Sequence, residues 1–186
     1  MKYGKVITPH TRYLANQICD HHIQEALLRS NLSDLVYDRS EFSKFNQVFD
    51  LFGFGLMVRA MLLVRTYPLS RFESEGAFKR RLGFGQEERS SGQVESFSSS
   101  GSRLAKSELY NWSRTSVGKK RLVSQVGLEI QAKFEEYKAK LNSKSEGQDK
   151  EQTGKFTNLV HSRTVAFTLR RLFPLLKSNC VGKKTD

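Results

Sequence analysis

The sequence predicts an all-α domain, and three observations predict it. Apolar residues recur every three to five positions through most of the 186-residue chain, close to the period of one face of a helix. Proline is scarce, with only 3 residues, so long stretches run without a breaker. No segment carries the sustained alternation of apolar and polar residues that marks a half-buried strand. Hydrophobic residues make up 38% of the chain and include 13 Phe, enough for a packed core.

Residues 10–37 read as the first helix, with Leu14, Ile18, Ile23, Leu27, Leu28, Leu32 and Leu35 mostly three to five positions apart. The spacing fits half of an antiparallel helix pair or a single packing helix. A strict heptad fails because His21 and Glu25 fall on its seam. Ser40 is placed to cap a second helix over 41–52, where Phe42, Phe45, Phe49 and Phe52 form one aromatic stripe expected in the core. Gly53-Phe54-Gly55 breaks the chain. Leu56 to Arg65 resumes as an apolar helix, ended at Tyr67-Pro68 because proline disfavours helix at the residue before it. Ser74 caps a short helix over 74–82, or the Ser70/Glu73 capping box starts it earlier. A Ser-rich loop follows to Gly101, with room for a short β-hairpin within 84–100.

Three more helices complete the reading. Residues 102–114 point Leu104, Leu109 and Trp112 inward, and residues 119–141 carry Leu122, Val126, Ile130, Tyr137 and Leu141. After a polar loop over 142–154, residues 156–178 place Leu159, Ala166, Leu169, Phe173 and Leu176 on one side. Pro174 is expected to bend that helix near its end. The implied division is a coiled-coil-like helical connector over 1–45, a main domain over 46–178 and a tail over 179–186.

The formal net charge is +12, which favours polyanionic partners, nucleic acid first. The charge is uneven. Residues 1–100 hold 13 Lys+Arg against 11 Asp+Glu, whereas residues 101–186 hold 18 against 8. Cys19 and Cys180 sit at opposite ends and make neither a disulfide framework nor a metal-ligand spacing, as suits a reducing cytoplasm. Cys19-Asp20-His21-His22 has no partner pair elsewhere, so no metal site is expected. The most apolar run, Leu51 to Val64, is short and contains Arg59, which argues against a membrane span. The expected location is cytoplasmic, with the nucleoid as the place of the DNA-bound form.

Three stretches carry chemistry. Two glycines flanking Phe54 between helices form the core of a helix-hairpin-helix, whose backbone amides can hold a phosphate oxygen without reading sequence. The alternative is an ordinary turn between packed helices. Arg89-Ser90-Ser91-Gly92 places a hydroxyl before a glycine, a nucleophile only where a base or metal activates it, and otherwise a polar loop. Lys119, Lys120, Arg121, Arg163, Arg170, Arg171 and Lys177 form a basic C-terminal surface, suited to phosphates or simply solvated.

The order of these features resembles the C-terminal domain of the insertion sequence 110/116/902 transposase family. The resemblance covers about residues 46–178. It runs through the Gly53-Phe54-Gly55 hairpin, Ser70-Arg71-Phe72-Glu73-Ser74, Leu82-Gly83, Ser91-Gly92, Gly101 to Lys106, Leu109-Tyr110, Trp112, and Arg163 through Leu172. The sequence departs from the family at Phe52, where the hairpin usually has proline, and at Phe84-Gly85-Gln86, where the loop usually carries one.

The resemblance implies DNA transposition or recombination by serine attack on a DNA phosphodiester. Ser91 stands in the nucleophile's place with Ser90 as fallback, and Arg89 and Arg103 stand nearby to balance charge. It also implies a divalent metal, Mg, held by an N-terminal RuvC-like domain that residues 1–45 are too few and too helical to replace. The chain is thus expected to be a C-terminal fragment, inert without that half. The implied partners are DNA, a guide RNA, and a second copy or a full-length transposase. The competing reading is a non-enzymatic nucleic-acid-binding or regulatory fragment that pairs with a full-length relative.

Overall fold

The structure is a computed structural model that describes residues 7–91, 94–145 and 150–180, with the backbone alone for 86–91, 94–100, 142–145 and 150–156. It is predominantly helical, as the periodicity predicts. Helix α1 spans Pro9–Tyr37, α2 Ser43–Leu51, α3 Leu56–Thr66, α4 Glu75–Arg81, α5 Arg103–Trp112, α6 Gln125–Ser145 and α7 Lys150–Cys180. Two antiparallel strands, β1 (Gly85–Ser91) and β2 (Val94–Ser100), pair from Gly85 opposite Ser100 to Ser91 opposite Val94. Of the two readings open for the Ser-rich segment, the structure has the short β-hairpin within 84–100.

The helix starts follow local chemistry. Thr8 caps α1, where Thr11 N donates to Thr8 Oγ1 at 3.1 Å. Ser74 caps α4 and Ser102 caps α5, each accepting from the amide three residues on at 3.2 Å. Such caps satisfy amides that have no partner inside the helix. Ser40 instead opens a single 3-10 turn, Ser40–Phe42, ahead of α2.

Two expected boundaries move. α6 starts at Gln125 rather than 119. Ser124 is the residue that starts it, with Gly127 N donating to its hydroxyl at 2.9 Å. Residues 118–124 are a connector that follows a π-helical turn, Ser113–Val117, and Lys120 takes φ +53° within it. α7 starts at Lys150, inside the stretch expected as loop, and passes Pro174 without ending.

The core is aromatic where α2, α3 and α5 meet. Phe49 and Phe52 are fully buried, and Phe54 and Trp112 nearly so. Phe52 stacks on Phe54 with centroids 5.4 Å apart, while Phe49 and Trp112 meet Phe54 edge to face at 5.9 and 4.9 Å. Offset and edge-to-face pairs of this kind add about 0.5–1.5 kcal/mol beyond the area they bury. A second part of the same core joins Phe72, Phe78 and Phe173. A third joins α6 and α7 through Ile130, Phe134, Val165 and Leu169. On α5 it is Ala105, not Leu104, that is buried beside Leu109 and Trp112; Leu104 is exposed.

α1 stands apart from this core. Val36 is its only buried residue among those described, and Leu14, Ile18, Ile23, Leu27, Leu28 and Leu35 are exposed. The helix therefore does not pack along its length against the rest of the described chain. No described helix is long and apolar enough to cross a membrane.

Candidate nucleic-acid interface

The chain between α2 and α3 is a tight knuckle. Phe52 N and Phe54 N both donate to Phe49 O, at 3.1 and 3.3 Å, and Gly53 N donates to Asp50 O at 3.0 Å. Gly53 has φ +59°, a conformation glycine adopts without the penalty a side chain brings. Gly55 does not: its φ is −77°, and a Cβ there would meet nothing within 4 Å. Of the two glycines, Gly53 alone serves a positive φ. Phe54 points inward, so its ring is core and only its backbone lies at the knuckle.

Gly55 is the N-cap of α3 and offers no side chain to its first turn. The opening amides of this 11-residue helix are left for other acceptors. They sit at the positive end of the helix dipole, the arrangement that holds phosphate oxygens elsewhere.

Arg59, noticed in the sequence only as an interruption of an apolar run, fixes the knuckle. It is buried. Its Nε donates to Phe54 O at 2.6 Å, and its Nη1 reaches Asn46 O and Oδ1 at 3.4 Å. Its Nη2 pairs with Asp50 Oδ1 at 2.5 Å, and its guanidinium lies 5.2 Å over the Tyr37 ring. One side chain therefore ties α1, α2 and the knuckle to α3. An arginine inside an otherwise apolar helix is the signal for such a clamp, since a charge is buried only when paired and hydrogen-bonded.

The connector over 118–124 packs on this knuckle. A Cβ on Gly53 would lie 2.7 Å from Leu122 Cδ2, and Ser124 Oγ donates to Leu51 O. Lys119, Lys120 and Arg121 are exposed on that connector, so the fold brings this basic triplet beside the glycines. Lys120 pairs loosely with Glu135 at 3.6 Å. Lys119 and Arg121 pair with no carboxylate among the described residues.

The remaining predicted residues lie elsewhere. Arg163 and Arg170 are exposed on α7. Lys177 Nζ sits 5.4 Å over the Phe173 ring. Arg171 is held by Glu129 of α6 at 2.5 Å and is thereby partly neutralised. Arg89, Ser90 and Ser91 fall at the far end of β1, where the backbone alone is described. Gly92 lies outside the described residues.

The base of the β-hairpin is firmly seated. Phe84 N donates to Lys79 O at 2.9 Å and Ser102 N to Arg81 O at 3.3 Å. A Cβ on Gly101, whose φ is +107°, would lie 2.0 Å from Arg80 O. Arg103 stands exposed at the start of α5, directly after this base.

A buried polar pair lies between α7 and the π-helical turn that follows α5. Ser113 Oγ is 3.0 Å from His161 Nδ1, and both residues are buried. The imidazole lies between the rings of Tyr110 and Phe134, with centroids 5.3 and 5.1 Å away. Burial, and then the nearby Arg114 cation, push its pKa below the usual 6.5. Among the described residues no three His, Cys, Asp or Glu side chains gather as a metal site.

Residues 46–126 match the model of the Transposase IS116/IS110/IS902 family. The matched stretch holds α2, the knuckle, α3, α4, the β-hairpin, α5 and the basic connector. Compared with curated proteins and with solved structures, the chain matches none.

Proposed function

We propose that this chain is a DNA-handling segment of a transposase, acting in DNA transposition by serine attack on a phosphodiester. The observation that carries the reading is the match over 46–126, which takes in both the phosphate-suited knuckle and the serine-bearing hairpin. In the proposed step Ser91 Oγ attacks phosphorus. The Oγ–P bond forms, one bridging P–O bond breaks, and the released strand end leaves as a hydroxyl. The serine proton passes to a base, and cationic side chains such as Arg89 and Arg103 balance the crowded phosphoryl oxygens. Ser90 is the alternative nucleophile.

The knuckle and Lys119, Lys120 and Arg121 would hold the duplex by its backbone. Mg would belong to an acidic RuvC-like domain, on this chain or another. A guide RNA is a further expected partner.

The test is complementation. The chain is mixed with a separately expressed RuvC-like half of a relative, Mg, DNA carrying the element's ends and any cognate guide RNA. Protein covalently joined to DNA is then sought. An adduct lost in Ser91→Ala and kept in Ser90→Ala is expected. The reverse pattern moves the role to Ser90, and an adduct surviving both substitutions ends the serine reading.

One observation favours a second reading, that of a regulatory partner. The apolar residues of α1 are exposed along its length, as fits a helix that pairs with another copy or with a full-length transposase. Leu27→Glu with Leu28→Glu should lower the oligomeric state measured by sedimentation. An unchanged state would remove this reading.

A further inference from the structure

Beside the β-hairpin base lies a cavity of about 400 Å³ between α5 and α7, within the range of small-ligand pockets, roughly 300–1,000 Å³. α5 supplies Arg103, Lys106, Ser107 and Tyr110 to it. Their spacing of three, four and seven residues puts them on one helix face. α7 supplies Asn158 and Ser162, one turn apart, and Phe84 closes the side toward the hairpin. No lining residue is acidic, and no carboxylate pairs with Arg103 or Lys106 among the described residues.

The lining is held in place before any ligand arrives. The Tyr110 hydroxyl donates to Asn158 Oδ1, and the Tyr110 ring rests against His161. Phe84 is fixed by its amide bond to Lys79 O. Gly83 is pressed on the first turn of α5: a Cβ there would lie 2.9 Å from Ser102 O and 3.3 Å from Lys106 Cβ. Asn158 Nδ2 keeps its donors free among the described residues.

Two aromatic rings, two unpaired cations, an amide donor and two hydroxyls are the chemistry of a nucleotide. The rings suit the faces of a base, the amide and hydroxyls its edge, and the cations its phosphate. A base reaches such a cavity only when it has left the stack. We infer that this cavity takes one unpaired nucleotide of a single-stranded nucleic acid. The inference rests on the nucleic-acid reading above but names a different site and a different form of ligand. The strand is DNA or RNA; both share this chemistry, and the test separates them.

The test measures binding of the full chain by fluorescence anisotropy. The probes are a fluorescein-labelled 12-nucleotide DNA strand, an RNA strand of the same sequence, and the 12-base-pair DNA duplex. A parallel pair of strands carries one central 2-aminopurine. Ser107→Trp fills the cavity from an exposed position without altering charge. It should weaken single-strand binding about tenfold, abolish the stacking quench of 2-aminopurine, and leave the duplex affinity within twofold. Lys106→Ala, at an exposed position, should weaken single strands and lower their salt slope by about 0.7, the value for one phosphate, while sparing the duplex.

The strand more weakened by Ser107→Trp is the one the cavity serves. Equal weakening means that it reads what DNA and RNA share. Wild-type affinity of both variants for single strands, or equal losses on the duplex, overturns the inference. Salt-dependent duplex binding would then still stand, so the pocket alone would fall. Binding to neither duplex nor single strand would remove the nucleic-acid reading as well.

Discussion

The knuckle at 52–55 and the β-hairpin at 85–100 are two turns built in opposite ways. At the knuckle a four-residue turn is anchored by the buried rings of Phe52 and Phe54 and clamped by Arg59, while Gly53 and Gly55 stay exposed. The Trp112 indole N–H even donates to Phe52 O at 3.2 Å. The β-hairpin is polar throughout most of its length and is seated by its base, through Phe84 and Ser102. Changes at the buried anchors of the knuckle should therefore read out as stability, and changes at the hairpin's far end, on the proposed reading, as function alone. On the proposed reading, the chemistry sits where the fold does not depend on it, in keeping with the way functional loops draw on the low-stability end of a structure.

The strongest way to break this comparison is Arg59→Leu. It leaves Phe54 O and Asn46 without their buried donor, and an unsatisfied buried polar group costs about 1–3 kcal/mol. Asp50 is two-thirds exposed, so losing its ion pair adds little. A total loss of about 3 kcal/mol in urea unfolding is expected. A loss below about 1 kcal/mol would mean that the aromatic core alone sets the turn.

The two knuckle glycines sharpen the same point. Gly53→Val puts a β-branched residue at φ +59° against Leu122, at a cost of about 2 kcal/mol. Gly55→Val meets open space at an ordinary φ and should cost under about 1 kcal/mol. Yet it places a branched side chain at the mouth of α3's free amides, so duplex affinity should fall in a protein that melts almost normally. Equal melting losses for the two variants would contradict the assigned roles.

Legibility followed the same divide. Phe45, Phe49 and Phe52 were readable as core because a stripe at helical spacing has one place to go. The cap at Ser74 was readable because a hydroxyl before an apolar run has a local job. What the sequence concealed was nonlocal. Nothing near Arg59 announces Asn46 or Phe54 O, and nothing near Lys119 announces Gly53. The start of α6 was misplaced because Lys119-Lys120-Arg121 has good helix propensity, whereas Ser124 and the close approach of Leu122 to Gly127 stop the helix short. The β-hairpin within 84–100 stood only beside a Ser-rich loop as an alternative, because serine-rich composition reads as loop and neither run carries the apolar alternation of a half-buried strand.

A third, smaller effect concerns pH. His161 is buried and neutral, so the unfolded chain takes up a proton near pH 6.5 that the folded protein takes up only at lower pH. Stability is full above about pH 6.5 and declines as the pH falls below it. The groups facing the ring are Arg114, which adds to the effect, and Ser113, Tyr110 and Phe134. Glu136 is held down to about 2 by hydrogen bonds from Lys133 and Lys140, so it stays ionised across the window. Melting temperatures between pH 7.5 and 5 should fall in the wild type and flatten in His161→Phe. An unchanged slope in the variant would assign the acid sensitivity to other groups.

The smallest effect on stability is expected where the proposed effect on chemistry is largest. Ser91 is the last residue of β1, six residues beyond the seated base and paired with Val94 of β2. From its place at the far end of the two-stranded ribbon, beyond the seated base, the change expected for Ser91→Ala is within about 0.5 kcal/mol. The same holds for Ser90→Ala. Urea midpoints should therefore coincide with the wild type for both, while the covalent DNA adduct separates them. If Ser91→Ala instead lowered stability by more than about 1 kcal/mol, the strand end would be part of the core's support. A lost adduct would then report misfolding rather than a missing nucleophile. Coincident midpoints with a lost adduct leave the hydroxyl itself as what the reaction requires.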